Sequence, residues 1–304
     1  MDAANERRIQ EAKTCIQKAE EHLKTSVLKM KFKPDYDSAA IEYGRAAVCY
    51  KNANDLNMAC DMYIKASSAF SSSGNLFHCA KCKESAAMIS RDMGDSENAM
   101  KYMEEAADCY AESGSSESSA MALDKAGKFL ETVDPEKAIS IYEKALMLVR
   151  QTDRSKMISD FSNRIARLNM KLGRYSEAIK AVEEEFDNCT ETKTDSGRVG
   201  QLTCSLVLLH LAKEDSIAAS KSLENCMRFL DVNSPEVALC NSLITVYESG
   251  DDDAFQELLR RPIMRNMDNE YLRLMKKLKA GGAESRVEHL QSGENREDYE
   301  EDLK

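Results

Sequence analysis

A small residue recurring every twenty positions limits what this chain can fold into. The segments "ACDMYIKASSAF" (59–70), "AMKYMEEAADCY" (99–110) and "AISIYEKALMLV" (138–149) share one layout. Each has a small residue, a larger apolar one four later, alanine seven later and a bulky apolar one eleven later. That set lies on one face of an α-helix. The frame recurs with starts near 19, 39, 59, 79, 99, 119, 138, 158, 178, 199, 219 and 239. Its seventh position holds Ala46, Ala66, Ala86, Ala106, Ala126 and Ala145 in succession, so helices must approach closely at each step. Eight positions further on stand Pro34, Asn54, Gly74, Gly94, Gly114, Asp134, Asp153 and Gly173, which are caps and helix breakers. "DPEKA" (134–138) and "SPEVA" (234–238) each place a capping side chain before a proline at the first helical position.

The expected fold is all-α: a right-handed, tetratricopeptide-like (TPR-like) α-solenoid of about a dozen helices, paired into hairpins of about 40 residues. A lone hairpin cannot bury its apolar face, whereas stacked neighbours build a continuous core. Residues 1–250 are assigned to the solenoid, 251–280 to a less regular C-terminal helical cap, and 281–304 to a flexible acidic tail. Beyond about residue 180 the pattern weakens. Glu185 takes the alanine position, and "DNCTETKTDSGRVG" (187–200) reads as a longer loop.

A formal net charge of -11 over 304 residues argues against a nucleic-acid partner. No apolar run approaches the roughly 18 residues of a membrane span, and the N-terminal stretch lacks a signal-peptide core, so a cytosolic location is expected. Ten cysteines scattered through helical stretches read as free thiols packed as small hydrophobes. His78, Cys79 and Cys82 in "HCAKC" are the nearest approach to a metal motif. A zinc site needs a second ligand pair, and none follows. His22, His78, His210 and His289 are far apart, and no phosphate loop, nucleophile elbow or HExxH is present. No catalytic residue, metal or cofactor is expected.

Three surfaces stand out. Lys125 and Lys128 match Arg164 and Arg167 in register, 39 residues apart in both cases. They form either a cationic stripe that steers an acidic partner or an ordinary solvated helix face. Asp251, Asp252 and Asp253, with Glu300, Glu301, Asp302 and Leu303, make an acidic far end, and the competing role for the aspartate run is capping a helix N-terminus. "SVLKMKFKP" (26–34) alternates apolar and cationic residues between the first two frames. Val27, Leu28, Lys29, Met30, Lys31, Phe32 and Lys33 suit contact with an anionic membrane surface. The alternative buries Leu28 and Phe32 locally under the first hairpin.

"FKPDYDSAAIEYGRAAVCYKNA" (32–53), "AMALDKAGKFLETVDPEKAISIYEKA" (120–145) and "MDNEYLRL" (267–274) resemble the soluble NSF attachment proteins, most of all the gamma type, while the ending "EEDLK" is closer to the alpha type. The resemblance runs from about residue 10 to 280. It implies an adaptor that binds assembled SNARE bundles (syntaxin-type and related coiled coils) and recruits the hexameric ATPase NSF to disassemble them in membrane fusion and vesicle transport. It further implies that the basic residues hold the acidic bundle, that the acidic end and penultimate Leu303 serve the ATPase, and that the loop at 27–33 touches the membrane. The residues by themselves leave open a generic peptide-binding scaffold or co-chaperone, and also an enzyme subunit whose chemistry lies in another chain.

Overall fold

The period of twenty is a helix of 17 residues plus a connector of three. In the computed structural model, which describes residues 3–25, 32–150, 155–192, 196–231 and 233–280, helices α2 (Tyr36–Asn52), α3 (Leu56–Ser72), α4 (Leu76–Asp92) and α5 (Ser96–Glu112) start 20 residues apart. Each helix is preceded by a capping side chain. Asp35, Asp55, Asn75 and Asp95 accept from the backbone N–H three residues on, at 3.1, 3.2, 3.4 and 3.1 Å, which satisfies donors that a helix N-terminus leaves open. Between helices the chain reverses through one left-handed residue: Asn54, Gly74 and Gly94 have φ of 61°, 81° and 81°. The same device returns at Glu214, with φ of 59°. A side chain in this region costs about 1–2 kcal/mol. Glu214→Gly is therefore expected to stabilise the chain by about 1 kcal/mol. The check is the midpoint of chemical denaturation, and an unchanged midpoint would show that the position is unstrained.

Two compact units divide the chain, residues 1–154 and 155–304. In the first, α1 (Ala3–Leu23), α2, α3, α4, α5, α6 (Ser116–Leu130) and α7 (Pro135–Arg150) pack each on the next. The alanines of the repeat lie at the contacts: Ala46, Ala66, Ala86, Ala106, Ala126 and Ala145 are all 0% exposed. Gly127 extends the close approach of α6 to α7, since a Cβ there would stand 2.5 Å from the Tyr142 ring. Tyr142 is fully buried, and its hydroxyl donates to Glu131 Oε1 at 2.7 Å.

The second unit contains α8 (Ser155–Lys171), α9 (Tyr175–Glu191), α10 (Ser196–Ala212), α11 (Ser216–Cys226) with a short 3-10 turn (Met227–Phe229), and α12 (Pro235–Ser249). Three shorter helices follow: α13 (Asp252–Leu259), α14 (Pro262–Arg265) and α15 (Asn269–Met275). Helix α10 touches α9, α11, α12 and α15. Leu202, Leu206, Val207, Leu208, Leu209 and Leu211 are accordingly all buried, because a helix surrounded on all sides is apolar all round. The boundary expected at residue 250 falls inside this unit. Among the described residues there is no strand, and each unit is all-α, as the repeat requires.

Two expectations need correction. The frame starting near 19 does not open a helix, because α1 ends at Leu23 and Pro34 instead precedes the N-cap of α2. The core of α1 is Ala12, Cys15 and Ala19, a shorter apolar set displaced from the frame. The loop expected over 187–200 is also shorter. Cys189, buried at 2% exposure, holds the last turn of α9 in the core, and the helix runs on to Glu191.

Candidate functional site

The matched cations differ in their surroundings. In the first unit, Lys125 of α6 is half-buried and pairs with Glu84 of α4, whose other oxygen accepts from the Tyr110 hydroxyl at 2.9 Å. Lys128 is exposed and pairs with Asp124 one turn earlier at 2.6 Å. Such pairs are worth about 0–1 kcal/mol each. They fix the lysine stems and leave the ammonium groups at the surface.

In the second unit, Arg164 and Arg167 of α8 line a cleft of about 610 Å³ together with Lys156, Asp160, Arg198 and Asp268. Glu185 of α9 lies in its wall. It occupies the alanine position of the repeat and is only 2% exposed. Arg198, at the start of α10, donates to Glu185 Oε1 from Nε at 2.8 Å and from Nη2 at 2.5 Å. Glu185 Oε2 is buried with no hydrogen-bond partner among the described residues. Burial pushes the Glu185 carboxyl above its ordinary value even though Arg198 pulls it down. For Arg198 burial opposes the charge, and pairing with Glu185 outweighs it and holds its pKa above the ordinary value.

Neighbouring side chains support the cleft. Asn188 donates to Ser159 Oγ at 2.9 Å, and Asn163 of α8 donates to Asp268 Oδ2 at 3.3 Å. The second contact ties α8 to the residue that precedes α15. Sequence reasoning found Arg164 and Arg167 but missed Lys156, Glu185, Arg198 and Asp268 as members of the cleft. The available signal was Glu185, a carboxylate at a position otherwise held by small or apolar side chains. Chemically, the cleft sets Lys156, Arg164 and Arg167 beside Asp160 and Asp268, with the Arg198–Glu185 ion pair in its wall.

The acidic far end is partly structural. Asp251 caps α13 by accepting from Ala254 N at 3.0 Å, and Asp252 accepts from Ala280 N at 2.9 Å. Asp253 is exposed in the first turn of α13. Glu300, Glu301, Asp302 and Leu303 lie outside the described residues. So do Val27, Leu28, Lys29, Met30 and Lys31. Of the expected membrane loop, Phe32 is 68% exposed and Lys33 is exposed. Asp35 N donates to His22 O at 3.0 Å, which joins the last turn of α1 to the N-cap of α2. Among the described residues, no helix is long and apolar enough to cross a membrane.

All ten cysteines are free. Cys79 and Cys82 lie in the buried face of α4, and burial pushes their thiols up to about 12 and about 11. They are therefore neutral at ordinary pH and pack as apolar groups. His78 instead contacts Asn75 Oδ1 through Nδ1 at 2.9 Å.

Residues 10–280 match the family model described as "Soluble NSF attachment protein, SNAP". A gamma-soluble NSF attachment protein of Dictyostelium discoideum is 24% identical over 88% of this chain and 82% of its own length. One from Arabidopsis thaliana is 24% identical over 92% of this chain and 94% of its own. Among solved structures, BtubC (BKLC) from P. vanneervenii aligns with a TM-score of 0.40 and 18% identity, over 75% of this chain and 91% of that one.

Proposed function

The chain belongs to the soluble NSF attachment protein family, and from that premise we propose that it is an adaptor between SNARE bundles and the hexameric ATPase NSF. In this reading Lys125, Lys128, Arg164 and Arg167 hold the acidic surface of an assembled bundle. Asp253, with the acidic end at Glu300, Glu301, Asp302 and Leu303, meets the ATPase and stimulates it, and the segment from Val27 to Lys33 rests on the anionic cytosolic face of a membrane. Hydrolysis of ATP belongs to the partner, so the adaptor itself performs no chemical step. Asp251 and Asp252 contribute less to the ATPase surface than their charge suggests, because each is engaged by backbone N–H groups.

The observation that carries the reading is the cleft. Lys156, Arg164, Arg167 and Arg198 outnumber Asp160, Glu185 and Asp268 in its lining, on a chain with a net charge of -11, and a local excess of cations on an acidic body favours an acidic partner in one orientation. Reversing Lys125, Lys128, Arg164 and Arg167 to Glu is expected to weaken binding to a purified SNARE bundle on the order of a hundredfold at physiological salt. Helicity by circular dichroism should stay unchanged. Mixing the native chain with bundle and NSF should give a complex that assembles with ATP and dissociates on hydrolysis. Undiminished binding by the reversed variant would remove these four residues from the interface. Absence of any ternary complex would instead indicate a general peptide-binding scaffold.

A further inference from the structure

Within the second unit, the stretch that follows α13 has the opposite charge to the chain as a whole. Residues 260–280 hold seven arginines and lysines against two acids. Arg273 pairs with Glu270 at 2.8 Å. The other six, Arg260, Arg261, Arg265, Lys276, Lys277 and Lys279, are all exposed, and none has an ion-pair partner among the described residues. Several sit at helix C-termini, where the backbone dipole favours a cation. That local role leaves their charges facing solvent.

Two contacts bring five of the six together, and Arg265 N donates to Arg261 O at 3.1 Å, one helical turn on. Gln256 of α13 donates to Leu278 O at 2.8 Å, and Asp252 accepts from Ala280 N at 2.9 Å. The segment with Lys276, Lys277 and Lys279 therefore runs alongside α13, whose far end carries Arg260 and Arg261. At Ala280 the chain passes into residues 281–304, which hold eight acids against three arginines and lysines. A surplus of five cations is thus followed directly by a surplus of five anions.

We propose that the basic surface formed by Arg260, Arg261, Arg265, Lys276, Lys277 and Lys279 is the docking site of this chain's own acidic segment 281–304. Single exposed ion pairs are weak. A tether of this length, however, holds the acids at an effective concentration on the order of millimolar, and several pairs act together. The contact is electrostatic, so it weakens with salt. It is independent of the adaptor reading. If the acidic end also serves an ATPase, the basic surface competes for it and sets how readily it is released.

The test is zero-length carbodiimide coupling of the full-length chain, which joins a carboxylate to a lysine amine only when the two are in contact. At low ionic strength, the monomer fraction should contain links from Glu300, Glu301 or Asp302 to Lys276, Lys277 or Lys279, read by mass spectrometry. The yield should fall at least about fivefold at ~0.5 M salt, where screening is strong. It should fall roughly tenfold in the variant Arg260→Glu, Arg261→Glu, Arg265→Glu, which leaves the reporting lysines intact. Links spread evenly over lysines elsewhere, links confined to a dimer fraction, or yields indifferent to salt and to the variant would each overturn the proposal. So would flotation on phosphatidylserine vesicles that needs the three arginines while no tail links form, because the patch would then belong to a lipid surface.

Discussion

Replacing Arg198 with alanine is expected to destabilise the second unit by about 3–5 kcal/mol, because it strands the Glu185 carboxylate in the core. Glu185 is 2% exposed, and its Oε2 has no hydrogen-bond partner among the described residues. The two donors on Oε1 both come from Arg198. Glu185→Ala should be milder, about 1–2 kcal/mol, since the Arg198 side chain is 33% exposed and can turn to water. The double variant should recover most of the loss, because it puts alanine back at the repeat position and leaves no charge behind. Urea denaturation of the three variants checks this. Equal losses for Arg198→Ala and Glu185→Ala would mean that burial of the carboxylate is not the cause.

The effect has a pH signature. Burial holds the Glu185 carboxyl above its ordinary 4.5. Between 4.5 and that raised value, the folded chain keeps a proton that the unfolded chain has released. This group's contribution is therefore fully present below the unfolded value and is lost as pH rises through the folded one. Removing Arg198 raises the folded value further, so the deficit of Arg198→Ala should shrink as pH falls from about 7 towards about 5. A deficit that grows on acidification would contradict this sign.

The second large effect is expected at Gly127. An added methyl would stand 2.5 Å from the Tyr142 ring, which is fully buried and held by its bond to Glu131. Neither helix can yield without moving its neighbour, so Gly127→Ala should cost about 2–3 kcal/mol through overpacking. Tyr142→Leu in the same chain should restore much of that, and a double-mutant cycle on thermal or urea transitions would measure the coupling. Additive losses would place the clash elsewhere.

Much of the fold was legible because helix period, alanine position and cap residue are all local properties of the chain. Ala46 to Ala145 mark the contacts, and Asn54, Gly74 and Gly94 mark the turns, with no knowledge of partners needed, whereas the capping side chains Asp55, Asn75 and Asp95 one residue on went unremarked. The first helix was misplaced because its apolar set at Ala12, Cys15 and Ala19 is too sparse to fix a frame. Arg164 and Arg167 were found from register. Their cleft was not, since Arg198 and Asp268 reach it from other helices, and pairing across helices leaves no trace in a period. The aspartate run shows the same limit. Charge alone could not separate Asp251 and Asp252, bound to backbone donors, from exposed Asp253.

The three-residue connector also governs how the chain tolerates changes in length. One extra residue inside a helix would swing every later side chain of that helix by about 100° and take its alanine out of the contact. Between α2 and α12 the three departures from twenty obey this constraint. Helices α6 and α7 start 19 apart, α9 and α10 start 21 apart, and α11 and α12 start 19 apart, and each change falls after the frame's alanine position, where one helix gives way to the next. The molecule behaves like a ratchet with teeth of fixed pitch: whole teeth can be added or removed, slack is taken up only between them, and a partial tooth jams the row.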